Sequence, residues 1–437
     1  MSTQLVTSQL RVHATEQIKE SLTELANTQY YIFAGHPAPY ANSSIPDLVN
    51  SVQEYRYSAY QNMVFGKRLA DSDVSLVCPR HDWVANTVYT PYDSSIDLSN
   101  SSFYAVVNAT SNYYVFKVLD NNGGVPSTIA PDFTQTAADD TYYSTSDGYV
   151  WKYIYTIPKA TWDKFVTSSY MPVVPDANAV GNAVSGAIDV IKVTFAGSRY
   201  DATLANTFST SDIQVGGDPT VYHVASTASS NNGFYVGEYV YLVSGTGAGQ
   251  IRTITNYNGT TKNITLDTAF TTIPDSSTTY QITPKVTITG DGTGAIARAI
   301  VNTSIANTIA RIEIISRGSG YSYVDAVVVG NTGGTTNTAT LSTVLSPSLG
   351  HGSYPAMELG ATALCFSTTF ANSEANTISI KNDYRTFGLL RNPLFANVVA
   401  NVTTSTMTGV FVPGEKVIQN TSNASGYVVS VAGSSLQ

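Results

Sequence analysis

From residue 76 onward the apolar residues of this chain come in short bursts that alternate with polar ones. SFYAVVNA (102–109), YYVFKVLD (113–120) and GYVWKYIYTIP (148–158) are three such bursts, each bounded by Asn, Asp, Gly or Pro. A period of two places side chains on opposite faces of a strand and is wrong for a helix. The chain is therefore committed to sheets over most of its 437 residues. At that length a single ordinary core is insufficient, so two or three domains are expected.

Charged residues make up 12% of the chain, about half the roughly 25% of an average soluble protein. Hydroxyls and amides supply most of its polarity. Such surfaces suit permanent packing against partners, because a buried hydroxyl costs less than a buried charge. The formal net charge is −9 and no run of Lys and Arg occurs, which argues against binding nucleic acid. Two cysteines exclude a disulfide-stapled scaffold and fit a protein made in a reducing cytoplasm. The N-terminus lacks a signal-peptide pattern, and no run of about eighteen apolar residues suggests membrane insertion.

Helical periodicity is confined to the first 75 residues. TEQIKESLTEL (15–25) opens on a Thr cap and sets Ile18, Leu22 and Leu25 on one face. Residues 45–70 carry Leu48, Val52, Tyr55, Ala59 and Met63 at helical spacing, with Lys67 and Arg68 near the end, and predict a second helix. Composition shifts near residue 173 to short strands with Gly, Asn and Asp turns. That region contains an echo: IDVIKVTFAGSRY (188–200) matches IARIEIISRGSGY (309–321) in its alternation and its final Gly-Ser-x-Tyr. The expected fold is mainly β with N-terminal helices (α+β), with antiparallel sandwich-like sheets and an inserted, repeat-containing β domain. The expected divisions are a helical segment (1–75), a β-rich core (76–180), the insert (181–345), a return to the core (346–400) and a hairpin tail (401–437).

Reactive residues cluster in VCPRHDW (77–83). Cys78 and His81 have half-site spacing for zinc, and Cys365 with His351 could complete a Cys2His2 set. Yet His351 lies between glycines, and Cys365 alternates with apolar residues as a buried strand cysteine does. A Cys78/His81 nucleophile lacks an oxyanion site and has Pro79 between its members. GTGAGQ (245–250) lacks the Lys-Ser/Thr of a phosphate loop, and no long helix follows GDGTGA (290–295), so both read as turns. Acidic residues such as Asp139, Asp140 and Asp147 show no positional signature of a glycosidase pair. No catalytic residue, cofactor or metal is expected. Arg80 and Asp82 beside Trp83 read as a loop tie.

Four segments in order, FAGHPAPY (33–40), VCPRHDW (77–83), YYVFKVLDNNGG (113–124) and DGYVWKYIYTIP (147–158), resemble the baseplate wedge subunit of T-even-type contractile-tailed bacteriophages, the gene product eight family. GHGSYPAMELGA (350–361) and NDYRTFGLLRNP (382–393) look like the C-terminal part of longer relatives. His36 and His81 stand where the family pattern has Arg, and Tyr40 where it has Trp. Residues 185–345 have no counterpart in short members. The resemblance implies a non-enzymatic subunit of the virion's tail baseplate, assembled in the host cytoplasm. It implies a homodimer that contacts other wedge subunits. Its candidate structural and interface residues are Phe33, Gly35, Pro37, Tyr40, Pro79, Arg80, Asp82, Trp83, Asp120, Asp147, Gly148, Tyr149, Trp151, His351 and Arg385. The alternative is a tail-associated receptor or glycan-binding protein.

Overall fold

The computed structural model describes residues 7–24, 28–40, 51–94, 96–132, 142–200, 203–302, 304–305, 307–329, 337–369 and 383–393. Beyond these it describes 402–403, 409–412, 415–422, 425–428, 431–432 and 435–436. The chain is 42% strand and 14% helix, its named sheet pairings are antiparallel, and a helix stands near the N-terminus. It divides into two compact units, one of residues 1–16 and 75–365, the other of 17–74 and 366–437.

The first unit is organised around a four-stranded sheet. Its strands, in spatial order, are Tyr104–Ala109, Asn112–Asn121, Tyr149–Pro158 and Tyr142–Ser144. Alternation, with a break in the ladder at Ile154, covers both faces. Val106, Val115, Tyr155 and Ile157 pack on Phe103, Trp162, Met171 and Cys78, with Val12 of the N-terminal helix. Ala105, Phe116, Val118, Trp151 and Tyr153 pack the opposite cluster with Tyr89 and Tyr149. Fully burying one large apolar side chain contributes about 1.5–3 kcal/mol. These two layers therefore dominate the stability of the sheet.

The echo is a structural repeat. Each copy runs strand, Gly-Ser-x-Tyr turn, strand, strand. The first comprises Ile188–Phe195, Lys285–Gly290 and Thr293–Asn302; the second comprises Thr308–Ser319, Val324–Val329 and Thr340–Leu345. The copies interlock. The first strand of each pairs with the last strand of the other, and the middle strands pair together. Ile188–Phe195 also lies against Thr308–Ser319, and Val324–Val329 against Thr340–Leu345. The four-stranded and two-stranded sheets thereby pack around Ile188, Ile191, Val286, Ala297, Ile309 and Val328. Turn chemistry is shared. Gly197 and Gly318 have φ of 60° and 63°, and a Cβ at either would strike a backbone oxygen, a backbone nitrogen and the ring of Tyr200 or Tyr321. Only glycine fits such a seat.

Within the first copy, residues 204–283 form a unit with its own core. Six strands carry Tyr222, Val240, Leu242, Ile254, Tyr257, Ile264, Tyr280 and Ile282 inward. Its first and last strands pair, Leu204 with Ile282, so the chain leaves and returns side by side. The Gly-rich stretch at 245–250 is the turn between Tyr239–Ser244 and Ile251–Asn258.

In the second unit Tyr30–Gly35 is the central strand between Met63–Arg68 and Thr386–Arg391. The continuous helix expected over 45–70 does not form. A helix spans Val52–Asn62 and gives way to strand Met63–Arg68, where Lys67 and Arg68 pair with Ile32 and Tyr31. Val64 and Phe65 favour an extended chain, Gly66 disfavours helix, and the pairing satisfies their backbone groups; Leu48 lies outside the described residues. The first helix also starts earlier, at Ser8. Thr15 is not its cap; its hydroxyl bonds the Arg11 carbonyl inside the helix at 2.8 Å. Ile18, expected on the buried face, is 54% exposed, whereas Val12 and Leu22 are buried; Leu25 lies outside the described residues.

Candidate functional site

The motif residues fall into three groups. In the first unit, residues 80–83 leave strand Val74–Pro79 and run along the edge of Tyr104–Ala109. The backbone N–H of Trp83 donates to the Val106 carbonyl at 3.0 Å, and that of Val106 to the His81 carbonyl at 2.8 Å. Arg80 pairs with Asp82 at 2.9 Å, donates to the Thr167 carbonyl at 3.1 Å and lies 5.0 Å from the Trp162 ring centre. The Pro79 carbonyl accepts from the Tyr104 hydroxyl at 2.7 Å.

This segment is tied to the DGYVW strand through one serine. The Trp83 indole N–H donates to the Ser127 hydroxyl (3.2 Å), which donates to the Asp147 carboxylate (3.2 Å). The same carboxylate accepts from the backbone N–H groups of Thr128, Ile129 and Tyr149 and from the Thr145 hydroxyl. Partial burial works the other way, but these bonds hold the Asp147 carboxyl below its usual range. Gly148 sits at φ +87° in the turn that follows. Asp120 caps the adjoining turn by accepting from Asn122 N–H at 2.8 Å, and the Asn122 amide donates to the Asp147 carbonyl. The Tyr149 hydroxyl donates to the Val125 carbonyl at 2.6 Å, and its ring stacks on Trp151.

In the second unit Gly35, Pro37 and Arg385 meet. The Arg385 backbone N–H donates to the Gly35 carbonyl and its guanidinium to the Pro37 carbonyl, both at 3.1 Å. Tyr40 stacks on His36 with centroids 4.2 Å apart. The Phe33 ring covers Gly388, where a Cβ would collide with it.

His351 belongs to the third group, the most unusual chemistry in the chain. It sits in the loop before the short helix Pro355–Glu358. Its Nε2 lies 2.7 Å from Asp189 Oδ2 and its Nδ1 2.6 Å from Glu358 Oε1. Lys117, inside strand Asn112–Asn121, forms an ion pair with the same Glu358 oxygen, and its Nζ stands 3.9 Å from the Tyr92 ring centre. Asp189, on strand Ile188–Phe195, also accepts from the Tyr142 hydroxyl at 3.0 Å. Gly352 N–H donates to the second Glu358 oxygen at 2.8 Å. The four charged side chains are between 0% and 4% exposed.

Carboxylate oxygens only accept, so two short contacts from one imidazole require a proton on each ring nitrogen. Lys117 Nζ also stands 3.4 Å from Nδ1; with both carboxylates ionised we assign the imidazolium, and the cluster then holds two cations against two anions. Burial alone would lower the His351 pKa, but Asp189 and Glu358 outweigh burial and Lys117 and raise it. Burial opposes ionisation of Glu358 as well, yet Lys117 and His351 hold its carboxyl down to about 2. Burial pushes the Lys117 pKa below the usual lysine value; with Glu358 ionised beside it, we assign the ammonium form. The cluster joins the four-stranded sheet (Lys117, Tyr142), the first strand of the interlocked repeat (Asp189) and the returning chain (His351, Glu358). Sequence reasoning named only His351. The signal it passed over was a lone charge inside an apolar run: Lys117 in VFKVL, Asp189 in IDVI, Glu358 in AMEL.

The four zinc candidates are not assembled. Cys78 is buried beside the Tyr104 and Tyr155 hydroxyls, and burial pushes its thiol up to about 12. His81 faces Ser102 at 3.4 Å, and both His351 nitrogens are taken by carboxylates. Among the described residues no group of three His, Cys, Asp or Glu side chains is placed to hold a metal, and no helix is long and apolar enough to cross a membrane. Asp139 and Asp140 lie outside the described residues.

No family model matches the chain, and no curated protein matches it. Among solved structures, a chain of the virion of a native gene transfer agent particle aligns at 9% identity, covering 62% of this chain and 82% of that one. The TM-score is 0.17, and a likeness of that size carries no argument about fold or function.

Proposed function

We propose that this protein is a structural subunit of a contractile phage tail baseplate wedge, acting by self-association and by binding neighbouring wedge proteins rather than by catalysis. The observation that carries the reading is the fate of the ordered motifs. VCPRHDW, YYVFKVLDNNGG and DGYVWKYIYTIP are separate in sequence, yet Trp83, Asp120, Asp147 and Tyr149 are linked through Ser127 and Asn122 around a single sheet, beside the Arg80–Asp82 pair. Trp83, Asp120, Asp147 and Tyr149 hold the scaffold together, as expected where a motif specifies a scaffold. The low charge of the chain supports permanent packing in the same sense.

The test is cross-linking mass spectrometry on purified particles with tails separated from heads. Cross-links from residues 30–158 to other baseplate proteins, and between two copies of this chain, support the wedge role. Absence from tails, or links to fibres alone, overturns it and leaves receptor or glycan binding as the working reading.

A further inference from the structure

We propose that the fastening of the interlocked repeat to the four-stranded sheet is gated by one proton: it is tight while His351 is an imidazolium and loosens when the ring becomes neutral. The geometry carries this. Asp189 lies on the strand by which the chain enters the repeat, and His351 and Glu358 follow the strand by which it leaves. Lys117 belongs to the sheet. The imidazole bonds Asp189 of the repeat directly and reaches Lys117 of the sheet through Glu358, beside the direct Tyr142–Asp189 bond.

A neutral ring has one N–H and one lone pair. The lone pair would then face a carboxylate oxygen at 2.6–2.7 Å, acceptor against acceptor. Two carboxylates would share one ammonium in a site closed to water, where an unbalanced charge is heavily penalised.

Charged and titratable groups surround the ring, and the charge of Asp93 acts on the neighbouring Tyr92. Lys117, Asp189 and Glu358 touch the ring's surroundings directly, and the Tyr92 ring meets His351 edge-on at 5.6 Å. Tyr142 binds Asp189 from the far side. Behind the Tyr142 ring stand Arg317, its guanidinium carbon 3.1 Å from the ring centre, and Lys152 at 4.5 Å. Arg317 also donates to the Ile188 carbonyl at 2.9 Å and to that of Asp189. These outer cations lie against the Tyr142 ring rather than at the His351 nitrogens.

The experiment is hydrogen–deuterium exchange of the full chain from about pH 6 to about pH 9, with labelling times scaled for base catalysis. Peptides covering 186–195 and 346–361 are read against peptides from the inner unit 204–283, which contributes nothing to the cluster. Protection of the junction peptides should fall by about tenfold or more relative to that reference. In Asp189→Asn a neutral ring leaves a balanced Lys117–Glu358 pair, so the fall should disappear. A wild-type ratio that stays constant over this range overturns the proposal, and so does an equal fall in the variant. Should the variant not fold, the ring nitrogen shifts of His351 in histidine-labelled wild type decide the matter. A doubly protonated ring at about pH 6 that titrates with the loss of protection supports gating; a ring already neutral there overturns it.

Discussion

Lys117→Met is the perturbation whose consequences follow most directly from the structure. Methionine restores most of the side-chain volume but removes the ammonium, leaving His351 to balance both Asp189 and Glu358. The Glu358 carboxyl is held at about 2 against a usual 4.5, and that gap corresponds to about 3 kcal/mol of preference for the ionised form in the folded chain. Removing one member of a buried ion pair costs about 3–5 kcal/mol, because the surviving charge stays buried. The single variant should lose that much stability. Glu358→Gln alone should lose a comparable amount by stranding Lys117. The double variant retains the balanced His351–Asp189 pair and should lose at least about 2 kcal/mol less than the sum of the singles. All three tryptophans, Trp83, Trp151 and Trp162, lie in or against the two layers of the four-stranded sheet. Their fluorescence during urea unfolding therefore reports the affected core and not the whole chain, which need not unfold in one step. Additive losses in the double variant, or a single-variant loss below about 1 kcal/mol, would refute the claim that these charges are coupled in a dry site.

Three further outcomes are expected. The raised His351 pKa contributes stability that is fully present below its usual 6.5 and is lost as pH rises through the folded value. The lowered Glu358 pKa contributes stability present above its usual 4.5 and lost as pH falls towards about 2. The tryptophan transition should therefore be most stable between those two usual values and weaken on both sides, and Glu358→Gln should flatten the acid limb. Gly318→Ala puts a Cβ 2.5 Å from the Thr293 carbonyl oxygen at φ +63°, whereas Gly360→Ala, at φ +68°, meets nothing within 4 Å. The first should cost at least about 1 kcal/mol more than the second in thermal unfolding, and equal losses would mean that the turn is not seated as described. Replacing the stretch between Tyr200 and Lys285 by two residues, as Ser322 and Tyr323 join Tyr321 to Val324 in the second copy, should leave the interlocked strands folded. Loss of protected amides in 293–302 on exchange would show that the inner unit is needed to hold them together.

Much of this architecture was readable from residue order, because strand formation depends on local alternation and turn chemistry. The period of two in YYVFKVLD set which residues could share a face, whereas in GYVWKYIYTIP an irregularity at Ile154 moves Tyr155 and Ile157 to the face opposite Trp151 and Tyr153. The Gly-Ser-x-Tyr echo marked two turns with the same backbone demand. The mainly β class and the helix near the N-terminus followed from the same local signals.

What residue order did not decide was pairing. Helical spacing at 52–63 ran on into 64–68, where the partner strand Tyr30–Gly35 competes for the backbone and wins. Nothing local shows that strands 188–195 and 340–345 lie side by side, since their contact depends on closing a loop of some 145 residues. The cluster illustrates the same limit most sharply. Lys117, Asp189 and Glu358 each look like an isolated charge in an apolar run, His351 like a loop residue between glycines, and each would be costly if buried alone. Only the tertiary fold brings the four to hydrogen-bonding distance, where mutual neutralisation offsets the loss of water that none of them could bear singly.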